Sequence, residues 1–327
     1  MANERIWRLN SLLIWKEATA GTEASTFVSI PLTSVWYIKP VIEYIENEAW
    51  YWRIEDFTEK TLVKKMSETS LEWRAWTTTF WHILTALFWQ SSAWALIETW
   101  VYKHSFTVLN SNAHKSYSIA TDWVAQELSL YNLLDKLSIK SEVGQVLTFT
   151  AWFKGKALAT TTWKTVSFVT EKPFKVCEMT VKFADDTAWL TAASAVKLVN
   201  LNFEVSKNVM EIMEIGGLCE PTSLHNQQFS ITWDAELVYR WVDDFKGYNT
   251  AWTNKAMRIT ITWSTLIWAT KYNELNFDFA KLNFDEWDKS NSNDEIINQT
   301  LGFTWLYNLT DASMLTWYIQ NTQSTQY

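Results

Sequence analysis

Glycine and proline are scarce in this chain, with 7 Gly and 4 Pro in 327 residues, where average usage would give roughly 23 and 16. Turns are left without the residue that usually makes them. Cysteine is almost absent. Cys177 and Cys219 lie far apart and lack metal-site spacing, so two buried thiols in a reducing compartment are expected, not a disulfide framework. Histidine is limited to His82, His104, His114 and His225. None forms a metal-type pair, and His104 and His114 flank a stretch that reads as a loop, where solvation is expected. Long apolar runs are missing too. "FWHILTALFW" (80–89) is too short to span a bilayer, and "MANERIWRLNSLLIWKE" has no apolar region of signal-peptide length. The expectation is a chain made in the cytoplasm with no export signal of its own and no membrane partner. Positive charge is not in excess, since the net charge is −8. Residues 1–160 carry 15 basic and 16 acidic side chains, and residues 161–327 carry 13 and 20. Such a balance argues against sequence-reading of nucleic acid, which needs a basic patch.

What the chain has in excess is tryptophan, 23 residues of it. Trp normally sits in cores or interfaces, where its N–H finds a partner. Here it recurs beside turn-formers, in "EAWYWRIED", "ADDTAWLTAAS", "YNTAWTNKAM" and "ITWSTLIWATKYN". These are glycine places. Some bacterial genetic codes read UGA as tryptophan and others as glycine. A UGA-glycine gene translated with the other table would print glycine as Trp, which accounts for the deficit and the excess together. Trp287, in the amphipathic "NFDEWDKS", is the one expected to be genuine. The competing reading is a Trp-rich protein in which Trp50, Trp52, Trp73 and Trp76 form a platform for carbohydrate or for DNA bases.

Most of the sequence reads as strand. "KSYSIAT", "VLTFTAWF", "KTVSFVT", "VKLVNLNFEVS", "QQFSITW", "AMRITITW" and "NELNFDFAKLNF" alternate apolar and polar residues. Sheets with one buried face follow, as in a sandwich or barrel. "TTTFWHILTALFW" predicts a short helix over about 79–89, capped by its threonines. The stretch 126–137 fits a helix or a strand equally. Two stretches share an order: "LDKLSIKSEVGQVLTFTAWFKGKAL" (134–158) and "FAKLNFDEWDKSNSNDEIINQTLGFTWLYNL" (279–309). They read either as two copies of one β unit or as convergence on common β patterning.

Chemistry is hard to find. There is no nucleophile elbow. Restoring glycine at Trp233 and Trp241 makes no phosphate loop. The pairs Asp185–Asp186 and Asp243–Asp244 read as acidic turns before they read as catalytic or calcium-binding. No catalytic residue, metal or cofactor is expected.

"LLIWKEATAGTEAS" contains, with Trp15 read as glycine, a Gly-Lys-Glu step followed by Gly-Thr. "AWYWRIED" and "SLEWRAWTTTFWHILTALFW" become a Gly-Arg segment, a Gly-rich strand and a short helix through Trp50, Trp52, Trp73 and Trp76. "GGLCEPTSLHNQQFSITWDAELVYRWVDDF" gives a Gly-x-x-Glu-Pro turn, an Asn-x-Gln-Phe strand, then Thr-Gly at Trp233. In this order, over roughly residues 5–320, the chain resembles the tail tube (major tail) proteins of long-tailed bacteriophages. The resemblance implies a mainly β fold, an antiparallel β-sandwich or barrel with a flanking short helix. Its two parts would be an N-terminal β unit (1–165) with an extended arm at about 42–70 and an acidic C-terminal β unit (166–327). It further implies a structural virion protein, made in the host cytoplasm and not an enzyme. Copies would assemble with one another into hexameric or pseudo-hexameric rings stacked as a tube. Other phage tail proteins would be partners, and DNA would pass along an acidic lumen without sequence-specific binding. An arm carrying Glu48, Tyr51, Arg53, Glu55 and Asp56 would reach a neighbouring subunit. The alternatives are a Trp-rich carbohydrate-binding β-sandwich or another virion β protein, such as a decoration or baseplate component.

Overall fold

The computed structural model describes residues 11–31, 37–46, 59–90, 95–108, 114–121, 126–162, 164–238, 245–290, 297–322 and 324. It is mainly β, with antiparallel pairing throughout and two short α-helices among the described residues. The first half begins with β1 (Leu12–Lys16), β2 (Val28–Ile30), β3 (Tyr37–Glu46), β4 (Lys60–Arg74) and α1 (Phe80–Leu87). It continues through β5 (Trp89–Gln90), β6 (Ala95–Glu98), β7 (Val101–Thr107), β8 (Tyr117–Thr121), β9 (Glu127–Glu142), β10 (Thr148–Gly155) and β11 (Ala159–Thr160). The second half holds β12 (Met179–Ala184), β13 (Ala195–Val196), β14 (Asn200–Ser206), β15 (Met210–Ile212), β16 (Ser223–His225) and β17 (Ser230–Val238). After α2 (Phe245–Thr250) come β18 (Lys255–Trp268), β19 (Lys271–Lys289), β20 (Asn298–Trp305) and β21 (Leu315–Asn321).

The two halves trace the same path. In the first, strands pair in the order β3, β4, β10, β9. In the second the order is β14, β17, β20, β19. Each half also has a second run, β2, β1, β8, β9, β11 in one and β13, β12, β18, β19, β21 in the other. A helix follows the second strand of each main set, and the long strands β9 and β19 pass from one run to the other. The echoed segments align in register. Ile139 faces Phe149 across β9 and β10, and Phe284 faces Phe303 across β19 and β20. Pairing of β9 with β14 fuses the two main sets into eight consecutive strands ending at β3 and at the second part of β19. Among the described residues no sheet closes on itself into a barrel.

Alternation builds these strands. In β14, Leu201, Phe203 and Val205 are buried while Asn200, Asn202, Glu204 and Ser206 face outward. The same period runs through β10 and β17, and burying each Phe, Leu or Ile contributes roughly 1.5–3 kcal/mol. The inward side chains of both halves form one apolar cluster that includes Leu71, Phe149, Phe203, Phe279 and Phe303, with α1 packed into it.

Four local expectations need correction. "KTVSFVT" is not a strand, because residues 165 and 167–170 are exposed and its alternation covers nothing. The threonines before α1 do not cap it. Thr79 makes no side-chain cap, and the carboxylate of Glu171 instead accepts the N–H groups of Thr78 and Thr79, each at 2.8 Å, and the Thr79 hydroxyl at 2.8 Å. His104 is fully buried on β7. Both cysteines are free as expected, but neither is buried: Cys177 is exposed and Cys219 half-buried. The ambiguous stretch 126–137 is the strand β9.

Candidate functional site

The polar face of the eight-stranded run can be read as rows of opposed residues. One row crosses seven strands: Arg74, Thr148, Lys140, Asn202, Asp234, Gly302 and Glu286. A second row runs Glu142, Asn200, Glu236, Thr300, Asp288. The seam between the halves carries an ion pair, Lys136 to Glu204 at 2.7 Å. At both ends of the run the outer edge is open among the described residues. β3 has β4 on one side, and β19 beyond Leu282 has β20 on one side. Asn249 on α2 donates to the carbonyl of Phe284 at 2.7 Å near that second edge.

The described part of the expected arm is the β3–β4 pair. Its root packs on its own chain. The Lys65 N–H donates to the Cys219 carbonyl at 2.8 Å, and Lys64 and Lys65 pair with Glu211 and Glu220, each at 2.7 Å. Ile42, Tyr44, Ile45 and Leu62 remain exposed further out, as do Ile215 and Leu218 on the neighbouring excursion. Glu48, Trp50, Tyr51, Trp52, Arg53, Glu55 and Asp56 lie outside the described residues, as do Trp241, Asp243 and Asp244.

The Lys-Glu…Gly-Thr segment has a structural role that motif reading did not assign. The Glu17 carboxylate is buried and accepts four hydrogen bonds: from the Gly21 N–H (2.7 Å), the Tyr131 N–H (2.8 Å) and the hydroxyls of Ser116 (2.6 Å) and Ser118 (3.0 Å). Gly21 sits at φ +77° and Tyr131 at φ +56°. Glu17 therefore ties the first turn to the bend at which β9 changes sheets. An acidic residue ending an apolar strand four positions before glycine was the available signal.

The tryptophans divide by geometry. Trp252 ends α2 in the left-handed region at φ +53°. Its N–H donates to the Asn249 carbonyl (3.2 Å), and the next N–H, of Thr253, reaches back to Tyr248 (3.0 Å). This is a Schellman motif, in which the left-handed position is usually glycine. Trp100, at φ +65°, closes the two-residue turn between β6 and β7. Both indoles are exposed. Trp73 and Trp233 are buried at equivalent places, opposite Phe149 and Phe303. The indole N–H groups of Trp73, Trp76, Trp233, Trp305 and Trp317 find no acceptor among the described residues, whereas that of Trp287 donates to Gln299 at 3.1 Å. Trp15 packs edge-on against Trp81 and beside His82. Burial pushes His82 down to about 3, with Lys16 nearby adding to the effect.

Other chemistry is structural. Asp185 pairs with Lys255, and Asp186 caps a short 3₁₀ turn by accepting from Ala188 and Trp189. No group of three or more His, Cys, Asp or Glu is placed to hold a metal among the described residues. Lys207 is buried, donates to the Ala86 carbonyl at the end of α1 at 2.7 Å, and is held down to about 7 by burial, against the pull of Asp135. No described helix is long and apolar enough to cross a membrane. No protein-family model matches the chain, and no curated protein matches it in sequence.

Proposed function

We propose that the chain is the tail tube subunit of a long-tailed bacteriophage, a structural virion protein whose copies close into rings that stack as a tube for DNA. The observation that carries this reading is the repeated strand order with its internal seam. β9 ends the first set and pairs with β14, which begins the second. The run as a whole begins with β3, the counterpart of β14, and ends with β19, the counterpart of β9. The same kind of seam can thus form between copies, head to tail. Such a heterologous contact makes a closed ring when the rotation closes, and it covers edges that otherwise invite aggregation. Two sets per copy make three copies equivalent to six sets, a pseudo-hexamer. In this reading the fold is a duplicated β-sandwich of the tail tube type, the polar face of the eight-stranded run lines the bore, and the exposed apolar end of the β3–β4 pair meets a neighbour. No cofactor is called for.

The same reading holds that the host decodes UGA as glycine. Trp100 and Trp252 support it through their backbone, and Trp73 and Trp233 through their unpaired N–H groups opposite phenylalanine. A glycine covered by a cross-strand aromatic ring is a known way to hold a sheet together. The test is sedimentation and electron microscopy of the purified protein over a concentration series. Rings or tubes whose mass is a multiple of three chains are expected. A protein that stays monomeric at every concentration, and whose Trp fluorescence is quenched by glycans, would replace the tube with the carbohydrate-binding module.

A further inference from the structure

The polar face of the eight-stranded run is divided by sign at the β9–β14 seam. On the first-half strands it presents Lys39, Arg74, Lys136, Lys140 and Lys154. Four carboxylates share that part of the face: Glu68, Glu72, Glu142 and, at the β9 bulge, Asp135. On the second-half strands the same face presents Glu204, Asp234, Glu236, Glu286 and Asp288, and no lysine or arginine. The overall acidity of residues 161–327 therefore extends onto this face, while the other half of the face is weakly basic.

The cations are not all committed. Lys136 is tied to Glu204, and Lys154 lies 3.4 Å from Asp135. Arg74 and Lys140 are exposed, flank Thr148 on either side, and make no ion pair among the described residues. One strand, β10, lies between them, and two inter-strand spacings make the separation about 10 Å. Lys39, Lys136 and Lys154 line a groove of ≈ 510 Å³ on the same face together with Glu68 and Asp135, so the groove itself is close to neutral and Arg74 and Lys140 are the free charges. The hydroxyls of Ser70, Ser138, Thr148 and Thr150 stand between the charges and can donate to anionic oxygens. Asp234, the nearest acid in the row of Arg74 and Lys140, is two strands beyond Lys140, again about 10 Å. That is slightly more than one Debye length at physiological ionic strength; Glu204, diagonal to Lys140 across the seam, is closer but is neutralised by its ion pair with Lys136.

We propose that the first-half strip of this face contacts the phosphodiester backbone of duplex DNA, while the second-half strip repels it. The inference rests on the tube reading for the presence of DNA against this face. It departs from a uniformly acidic wall, because each copy would contribute one strip that holds phosphate weakly and one that lets it go. The contacts are charge and hydroxyl contacts to backbone oxygens, which position DNA without reading its sequence.

The test measures binding of a short labelled duplex to the full chain by fluorescence anisotropy across a salt series. Arg74→Gln with Lys140→Gln is compared with a control pair on the other run, Lys182→Gln with Lys271→Gln. All four positions are polar surface sites, and thermal melting checks that both variants stay folded. Wild type is expected to bind weakly at low salt, and the Arg74/Lys140 variant to lose about 2 from the slope of log K against log salt. Asp234→Asn with Glu286→Gln is expected to tighten binding. No measurable binding by wild type, or equal losses in the test and control pairs, would overturn the proposal. Sedimentation of the same samples keeps the two readings apart. Rings that ignore DNA remove the strip alone, whereas DNA binding through Arg74 and Lys140 without rings removes the tube and leaves the strip.

Discussion

Trp73 and Trp233 hold equivalent places in the two halves, each buried on the second strand of its set with a phenylalanine directly opposite, Phe149 and Phe303. The first rings lie 4.3 Å apart between centroids and the second 5.9 Å, so each indole is packed but its N–H is left without an acceptor. An unpaired buried donor costs about 1–3 kcal/mol. Repetition of that cost at matched sites is what a shared glycine position misread in both halves would leave behind. Peptide mass spectrometry on protein from the native host is expected to show glycine mass at positions 73, 100, 233 and 252 and tryptophan mass at 287. Tryptophan mass at both 100 and 252 would end the recoding account.

For protein made with tryptophan at these positions, Trp252→Gly should be stabilising. The residue occupies the left-handed end of α2 and its ring is largely exposed, so little packing is lost. Relief of the left-handed penalty, roughly 1–2 kcal/mol for a residue with a Cβ, outweighs the added freedom of the unfolded chain. Urea unfolding should show a higher midpoint with an unchanged slope. A lower midpoint would mean that the indole itself holds the turn.

Much of the fold was legible, because burial of one face of each sheet writes itself into alternation. β8 and β14 fall inside the segments read as strands, and β10, β17, β18 and β19 each contain most of such a segment and run on past it. The stretch that resisted, 126–137, lies in β9, where Tyr131 adopts φ +56° and the pattern switches phase as the strand changes sheets. A phase shift inside one strand looks locally like helical spacing. "KTVSFVT" misled for the opposite reason, since it alternates without a neighbour to pack on. The repeat was visible only as an echo, because two sets can share register and topology with few identical residues. The open edges at β3 and β19 and the charge division at the seam were not legible, since both depend on which strands become neighbours.

Gly155 should not tolerate a side chain. A Cβ there would stand 2.3 Å from the Asn132 Oδ1 and 2.6 Å from the Ser129 hydroxyl. Those two groups hydrogen-bond each other at 2.8 Å, and Asn132 also donates to the Tyr117 carbonyl at 2.9 Å, so neither can move aside without loss. Gly155→Ala is expected to destabilise by about 1–3 kcal/mol in chemical unfolding. An unchanged midpoint would show that the Asn132 network is looser than its distances indicate.

The α1 cap supplied by Glu171 gives a third stability test. Its carboxylate takes two backbone N–H groups and a hydroxyl at the helix start, and burial nonetheless raises its pKa above the ordinary carboxylate value. Glu171→Ala should cost about 1–2 kcal/mol, in the range of lost helix caps. Thr79→Ala, which removes one of the three donors, should cost less. If the two variants were equal, the cap would reside in Thr79 after all.

Acid should destabilise the protein through His82. The group is buried on α1 beside Trp15 and Trp81, and its pKa falls from 6.5 to about 3. Between those values the unfolded chain binds a proton that the folded chain refuses, so stability is complete above about pH 6.5 and declines as pH falls toward 3. At pH 5 the loss from this group is about 2 kcal/mol. His82→Phe, which cannot titrate, should flatten the stability profile between pH 7 and 5 relative to wild type. The two neighbours make the experiment informative about composition as well. With glycine at 15 and 81 the imidazole would lose both rings that exclude water, its pKa would return toward 6.5, and the acid limb would shrink. A steep limb in recombinant protein carrying tryptophan, and a shallow one in protein from a host that reads UGA as glycine, would separate the two chains without sequencing either.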